Sequence, residues 1–483
     1  MPNFKKISQI GFIAIAGFIA GCKDKDVVPE TTVSTNTTNY NAINSWVYGV
    51  MNDAYFWYKN MPAEKSLDAE INPTDYFEKL IYNRTTVDRF STITDDIDAL
   101  TNEFNGVGKI LGISYTLAYT DDSKNNLAAF LSYVVKGSPA ETAGLKRGDM
   151  IMKVNGTQLT EANYVSLLSN SDTEVFTLGT LSGTTITADD SKTISVTKAT
   201  ISEDPVLFST VISKPDYNKN IGYLVYTQFV PGTTASAEAY DNELRQVFAD
   251  FKSKGVNELV LDLRFNPGGY ISSAETLASL IGTGISSSKI FYKEQWNDKY
   301  IAYWQKQKGA NALNHNFLNE ANNIGSSLNR VFVLTSNGSA SASELVINGL
   351  KPYMDVVTIG EHTYGKNLFG SLISDDQHRW KWGVYVMLGQ TANANDQSDY
   401  GTVDGIAPTY LVEDTKIPYK PFGDENETLL RKALDVIGIP APTNTRLAAT
   451  KQVEPIVREN LRDNLVIRDK RMIRDMPASK LYP

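Results

Sequence analysis

The chain has one cysteine and three histidines among 483 residues. A single thiol cannot close an internal disulfide. So few cysteines and histidines also argue against a zinc or iron–sulfur site, and neither metal nor cofactor is expected. An excess of positive charge is missing as well. The net charge is −9, and no basic helix clusters lysine and arginine, so nucleic acid is not an expected partner. Internal repeats are absent. The apolar run near the start, Ile10 to Ala20, is too short to span a bilayer comfortably. What remains is ordinary for a soluble globular protein: 42% hydrophobic and 21% charged residues, in a chain long enough for two or three domains.

Lys5 and Lys6 precede that apolar run, in the order of a secretory signal peptide. The run ends Ile19-Ala20-Gly21-Cys22, which resembles the lipobox of bacterial lipoproteins. The resemblance implies that residues 1–22 are removed or modified, that Cys22 carries the lipid, and that the protein sits in the bacterial cell envelope. It would be held at a membrane through its lipid anchor, at the outer membrane or facing the periplasm. Residues 23–40 are polar, rich in Thr and Asn and without periodicity, as a flexible tether would be.

Between 41 and 105 the pattern is helical. Trp46, Val47, Val50, Met51 and Ala54 recur at helical spacing, and Pro73-Thr74-Asp75 opens a second amphipathic stretch through Tyr76, Phe77, Leu80 and Ile81. From 106 to 200 the chain reads as short strands. Gly137-Ser138-Pro139-Ala140, Ala143-Gly144-Leu145, Gly148-Asp149-Met150-Ile151 and Val154-Asn155-Gly156 follow in an order that resembles a PDZ domain. Such domains take up a chain end by strand addition, with loop amides holding the terminal carboxylate. Here that loop and its receiving strand would be Ile110, Leu111, Gly112 and Ile113. From 201 to 437 helices alternate with buried strands, an α/β pattern. Residues 438–483 read as a charged tail: a solvated helix, a strap or an oligomer contact.

The most informative stretch is Arg330 to Gly370. An apolar run, Val331 to Leu334, gives way through Ser336-Asn337-Gly338 to small residues. A helical pattern then carries Leu345, Val346 and Leu350. Ser341 should therefore stand where a loop enters a helix N-terminus, a place that favours negative charge. A second apolar run, Val356 to Ile359, places Lys366 at the end of another expected strand. A serine hydroxyl needs a base beside it. A lysine can serve once burial disfavours its ammonium form, bringing its pKa from ~10.4 towards ~7–8.

Gly338-Ser339-Ala340-Ser341-Ala342-Ser343-Glu344, followed by Tyr364-Gly365-Lys366, resembles the C-terminal processing peptidases (tail-specific proteases), serine peptidases with a Ser-Lys dyad. Asp262-Leu263-Arg264-Phe265-Asn266-Pro267-Gly268-Gly269 and Gly405-Ile406-Ala407-Pro408 match further elements of that family. The resemblance implies a multidomain α/β protein: a helical N-terminal segment, a PDZ domain and a catalytic domain of the crotonase and Clp-protease kind. Ser341 would be the nucleophile and Lys366 the general base. Backbone amides of Ala342 and of Gly268 or Gly269 would stabilise the oxyanion. Substrates would be proteins or peptides with free C-terminal tails. Many members place a glutamine where this chain has Gly370, so the group that orients Lys366 is open, with Glu344 a candidate. A Ser-His-Asp enzyme built on His362 is the weaker alternative, since only proximity links that histidine to Lys366. An alternative of another class is a catalytically silent binding lipoprotein. The paired Ser341 and Lys366 speak against it, because a silent relative needs neither.

Overall fold

In the computed structural model, residues 40–120, 124–169, 171–182, 185–441 and 471–474 are described. The proposed signal peptide, Cys22 and most of the tether lie outside them. Among the described residues no helix is long and apolar enough to cross a membrane.

The run Val331-Phe332-Val333-Leu334 has no polar face because it has no solvent side. It forms the strand Arg330–Thr335 and is fully buried, as strands sandwiched in parallel sheets are. Its sheet has the order Val206–Lys214, Lys219–Tyr226, Glu258–Asp262, Arg330–Thr335, Asp355–Gly360 and Tyr410–Leu411, parallel after the first antiparallel pair. On this sheet packs the helix Ala342–Leu350, all nine of whose residues are buried. A helix buried on every side lies in the middle of a domain, and its polar residues Ser343, Glu344 and Asn348 are buried with the rest.

A second sheet runs Gly268–Tyr270, Arg471–Ile473, Leu368–Ser374, Gly383–Asn393, Ile290–Trp296 and Asn314–Asn316. The short strand Thr92–Thr94 joins it on Gly383–Asn393. The N-terminal segment is thus built into the catalytic domain rather than standing beside it. Its helices Tyr40–Ala54 and Pro73–Leu80 bury Val47, Met51 and Phe77 in the same cluster as Trp296, Phe369 and Val386. The second helix begins as the sequence suggests, with Pro73 in its first turn and the Asn72 side chain accepting from the Thr74 amide.

The PDZ part has its own sheet, from Ile113–Tyr119 at one edge to Thr185–Thr197. It also has its own core, around Leu117, Leu131, Ile151 and Phe176. A two-stranded ribbon, Val107–Ile110 with Ala199–Ser202, closes its two ends.

Two expectations need correction. Lys366 does not end the strand of Val356 to Ile359. That strand stops at Gly360, and Lys366 lies in the following loop, just before Leu368–Ser374. The stretch after 437 is not wholly a solvated tail. Its residues Arg471–Ile473 form a strand within the second sheet, where Met472 is fully buried. An apolar Met-Ile pair finds more stabilisation between two strands than in water, and the charge density around it hid that.

Candidate active site

Ser341 opens the helix Ala342–Leu350 with φ 63° and ψ −109°. This is a backbone conformation L-residues rarely hold, of the kind found where a nucleophile sits on a tight strand-to-helix turn. The three serines of the stretch separate by their partners. Ser339 Oγ donates to the Leu263 carbonyl at 2.8 Å and Ser343 Oγ to the Asn266 carbonyl at 3.0 Å. Ser341 Oγ is buried and, beyond a loose capping-box contact with the Glu344 amide of its own helix, has no hydrogen-bond partner among the described residues. Two hydroxyls are structural, and the middle one is left for chemistry.

Glu344 explains how the serine and lysine loops are held together. Its carboxylate is fully buried and accepts four hydrogen bonds. They come from the Ser341 amide (2.7 Å), the Thr363 hydroxyl (2.5 Å), the Gly365 amide (2.7 Å) and the Lys366 amide (2.9 Å). Glu344 therefore fixes the backbone of both residues and not the lysine side chain. Burial pushes its carboxyl up to about 7, against the pull of those four bonds towards the ionised form.

The Lys366 side chain is buried. Its Nζ donates to the Tyr385 hydroxyl at 3.3 Å and lies 4.7 Å from the ring centre of Phe90 and 5.0 Å from that of Tyr385. No hydrogen bond joins it to Ser341 Oγ. Tyr385 stands where the family's glutamine would help. A side chain at 370 would meet the Tyr385 ring at 2.9 Å and Met387 Cε at 2.5 Å. Glycine at 370 thus makes room for the tyrosine that touches the lysine. Neither Tyr385 nor Phe90 was foreseen from the sequence. Arg89 was missed too: it donates to the Gly365 carbonyl at 2.9 Å and so braces the lysine loop from the N-terminal segment.

The glycine turn lies against the serine stretch, whose Ala340 amide donates to the Asn266 carbonyl at 3.1 Å. Asn266 donates to the Tyr226 carbonyl and accepts from the Gly268 amide, both at 2.9 Å. The Gly268 amide is thereby committed to Asn266, while Gly269 pairs with Met472 in the strand ladder. Gly269 has φ +139°, and a Cβ there would lie 2.1 Å from the Phe229 carbonyl oxygen. No other residue fits. Ala342 supplies the first amide of the helix, with the macrodipole behind it.

Behind the turn, Arg264 is buried and donates to Asp262 (2.7 and 2.9 Å), Asp414 (2.8 Å) and Glu427 (2.7 Å). Glu427 also accepts from Arg147 of the PDZ part at 3.1 Å. Burial works against the Glu427 carboxylate, yet the two guanidiniums hold its carboxyl well below the usual range. The PDZ part is thus wired to the catalytic turn.

His362 is exposed and its Nδ1 meets the Asp404 carbonyl at 2.8 Å, which gives no histidine triad. In the PDZ part, Leu111 and Ile113 are buried in its core, and Ile110 ends the ribbon strand. Gly112 lies against Ser138. The strand beginning at Ile113 is an edge of its sheet, as strand addition requires. No group of three or more metal-ligating side chains is found among the described residues.

A buried serine at a strained helix entry, a buried lysine and an amide-lined turn define a serine-hydrolase type of site carried beside a PDZ domain. Residues 220–412 match peptidase family S41, residues 42–92 the peptidase S41 N-terminal domain, and residues 130–180 a PDZ domain. A solved structure assigned to the S41 proteases, from Bacteroides fragilis, is 30% identical with a TM-score of 0.69. That alignment covers 82% of this chain and 98% of that one. The chain belongs to peptidase family S41.

Among curated relatives, the chloroplastic C-terminal processing peptidase of Tetradesmus obliquus is 25% identical over 55% of this chain and 53% of its own. The carboxyl-terminal-processing protease of Synechocystis is 26% identical over 70% and 69%. The chain thus spans roughly half to two thirds of those relatives' lengths.

Glu344 carries a pH signature. A carboxyl whose folded pKa exceeds its unfolded value binds a proton on folding, so its contribution is full below about 4.5 and lost as pH rises through about 7. Urea unfolding of the wild type should lose on the order of 3 kcal/mol over that range relative to Glu344→Gln. Parallel curves for the two proteins would remove Glu344 as the titrating group. For Tyr385→Phe, loss of one bond to the lysine should lower kcat roughly tenfold. A kcat within about twofold of wild type would show that the hydroxyl does not position Lys366.

Proposed function

We propose that the protein is a serine endopeptidase that cleaves proteins near or from their C-terminal tails through a Ser341–Lys366 acyl-enzyme mechanism. One observation carries the reading: a single buried carboxylate, Glu344, binds the backbone of both Ser341 and Lys366, while Ser341 Oγ, among the described residues, is not bonded to any other side chain or carbonyl. Lys366 Nζ takes the Ser341 proton as Oγ attacks the peptide carbonyl carbon. The amides of Ala342 and Gly269 receive the oxyanion, with one such donor worth ~3 kcal/mol in comparable sites. Lys366 then gives the proton to the leaving amine, and water hydrolyses the ester to free Ser341. The PDZ edge strand is read as the element that engages the substrate's chain end. The relatives' names, which specify carboxyl-terminal processing, support the substrate class.

The N-terminal pattern supports lipid anchoring through Cys22 in the bacterial cell envelope. Partners are then protein tails on one side and a membrane on the other.

The soluble form starting at Asn41 should degrade casein, and Ser341→Ala and Lys366→Ala should each reduce that to background while keeping the wild-type circular dichroism spectrum. An inert wild type would favour the silent binding protein instead. In fractionated cells, Cys22→Ser should move the full chain from membranes to the soluble fraction. Retention on membranes would remove the lipoprotein reading.

A further inference from the structure

The strand Arg471–Ile473 lies between the two halves of the site. On one side it pairs in parallel with Gly268–Tyr270, placing Met472 opposite Gly269. On the other side Ile473 pairs with Gly370, and the Arg474 amide donates to the Gly370 carbonyl at 2.9 Å. Strands stand about 4.8 Å apart, so removing this one would leave a slot roughly 10 Å wide between the oxyanion turn and the strand that follows Lys366. Both walls would then present unpaired backbone groups, a template for one extended peptide.

The side chains fit as well as the backbone. Met472 is fully buried, and Ile473 packs with Phe104, Leu368, Tyr385 and Met387. Arg474 makes an ion pair at 2.9 Å with Glu294, itself almost fully buried. Tyr385, which accepts from Lys366 Nζ, donates to the Met472 carbonyl at 3.0 Å. The residue that holds the lysine therefore also holds the strand.

We infer that this slot is the peptide-binding groove, that it selects two apolar residues followed by a basic one, and that the chain's own Met472-Ile473-Arg474 fills it as a built-in competitor of substrate. The consequence for cleavage rests on the peptidase reading above; the binding itself does not. A substrate strand has to displace this segment before its carbonyl can reach Gly269, so apparent substrate affinity is reduced by the fraction of time the segment is docked.

The test uses the full chain with two independent releases. Ile473→Asp puts a carboxylate into an apolar site, and Arg474→Glu sets like charges face to face with Glu294. Each should raise casein kcat/KM on the order of tenfold over wild type. A fluorescein-labelled peptide of sequence KRMIRDM (residues 470–476) should bind Ser341→Ala/Ile473→Asp on the order of tenfold tighter than Ser341→Ala alone. Wild-type cleavage rates and equal peptide binding in all forms would overturn the inference while leaving a Ser341-dependent peptidase intact. If no form cleaves casein but peptide binding still rises on release, the groove stands and the peptidase reading falls.

Discussion

Everything at the site hangs on one buried carboxylate that is short of water and well supplied with donors. Glu344 brings together a helix entry, a loop hydroxyl and two amides flanking the lysine. Removed from solvent, a carboxylate is tolerated only where hydrogen bonds replace its hydration. The requirement also works in reverse. Because Glu344 must keep its donors, the Thr363–Lys366 loop cannot drift from the Ser341 turn without exposing an unsatisfied charge. Ser341 and Lys366 are thus registered to each other through the backbone.

The serine-rich stretch follows the same logic. Its hydroxyls other than that of Ser341 are not spare nucleophiles but caps for carbonyls of the neighbouring turn. Ser336 bonds to Arg264, Ser339 to Leu263 and Ser343 to Asn266. A tight turn between buried strands leaves backbone groups that nothing in a sheet ladder can satisfy, and short polar side chains are the remedy. The Arg264 cluster extends this bracing to the PDZ part. Arg147 leans on the Tyr419 and Phe422 rings and bonds to Glu427, and Glu427 in turn caps the helix Thr428–Ile437 through the Leu430 amide. Buried charges of both signs make this junction specific, since moving any one of them strands the others.

How much of this could be read in advance divides along sequence distance. The strand Val331 to Leu334, the helix after Ser341 and the glycine turn were legible because composition and period act locally. Ser341 itself was picked by register within a motif, and its hydroxyl, bonded to no other side chain or carbonyl among the described residues, gives the physical reason for that choice. Tyr385 was not legible. It sits in an apolar strand, Gly383–Asn393, where a tyrosine looks like packing, and only antiparallel pairing brings it near Lys366. Arg89 and Phe90 were hidden for the same reason, being placed by a three-residue strand with no signal of its own. The Met472-Ile473 pair was masked by charged neighbours that dominate any window average.

The absence of glutamine at 370 makes sense once the groove is considered as a whole. A longer side chain there would strike Tyr385 and Met387, and Gly370 also offers its carbonyl to the Arg474 amide and its pairing edge to Ile473. A glutamine on that strand would collide with the Val386 carbonyl and the Tyr385 ring before it could help the lysine. Tyrosine from the next strand reaches the lysine across the glycine and leaves the edge open. One hydroxyl then faces both Lys366 Nζ and the Met472 carbonyl of the strand that lies in the groove. Occupancy of the groove and the position of the base are coupled through that single atom. A peptide that offers its carbonyl to Tyr385 engages the group that holds the lysine before hydrolysis begins.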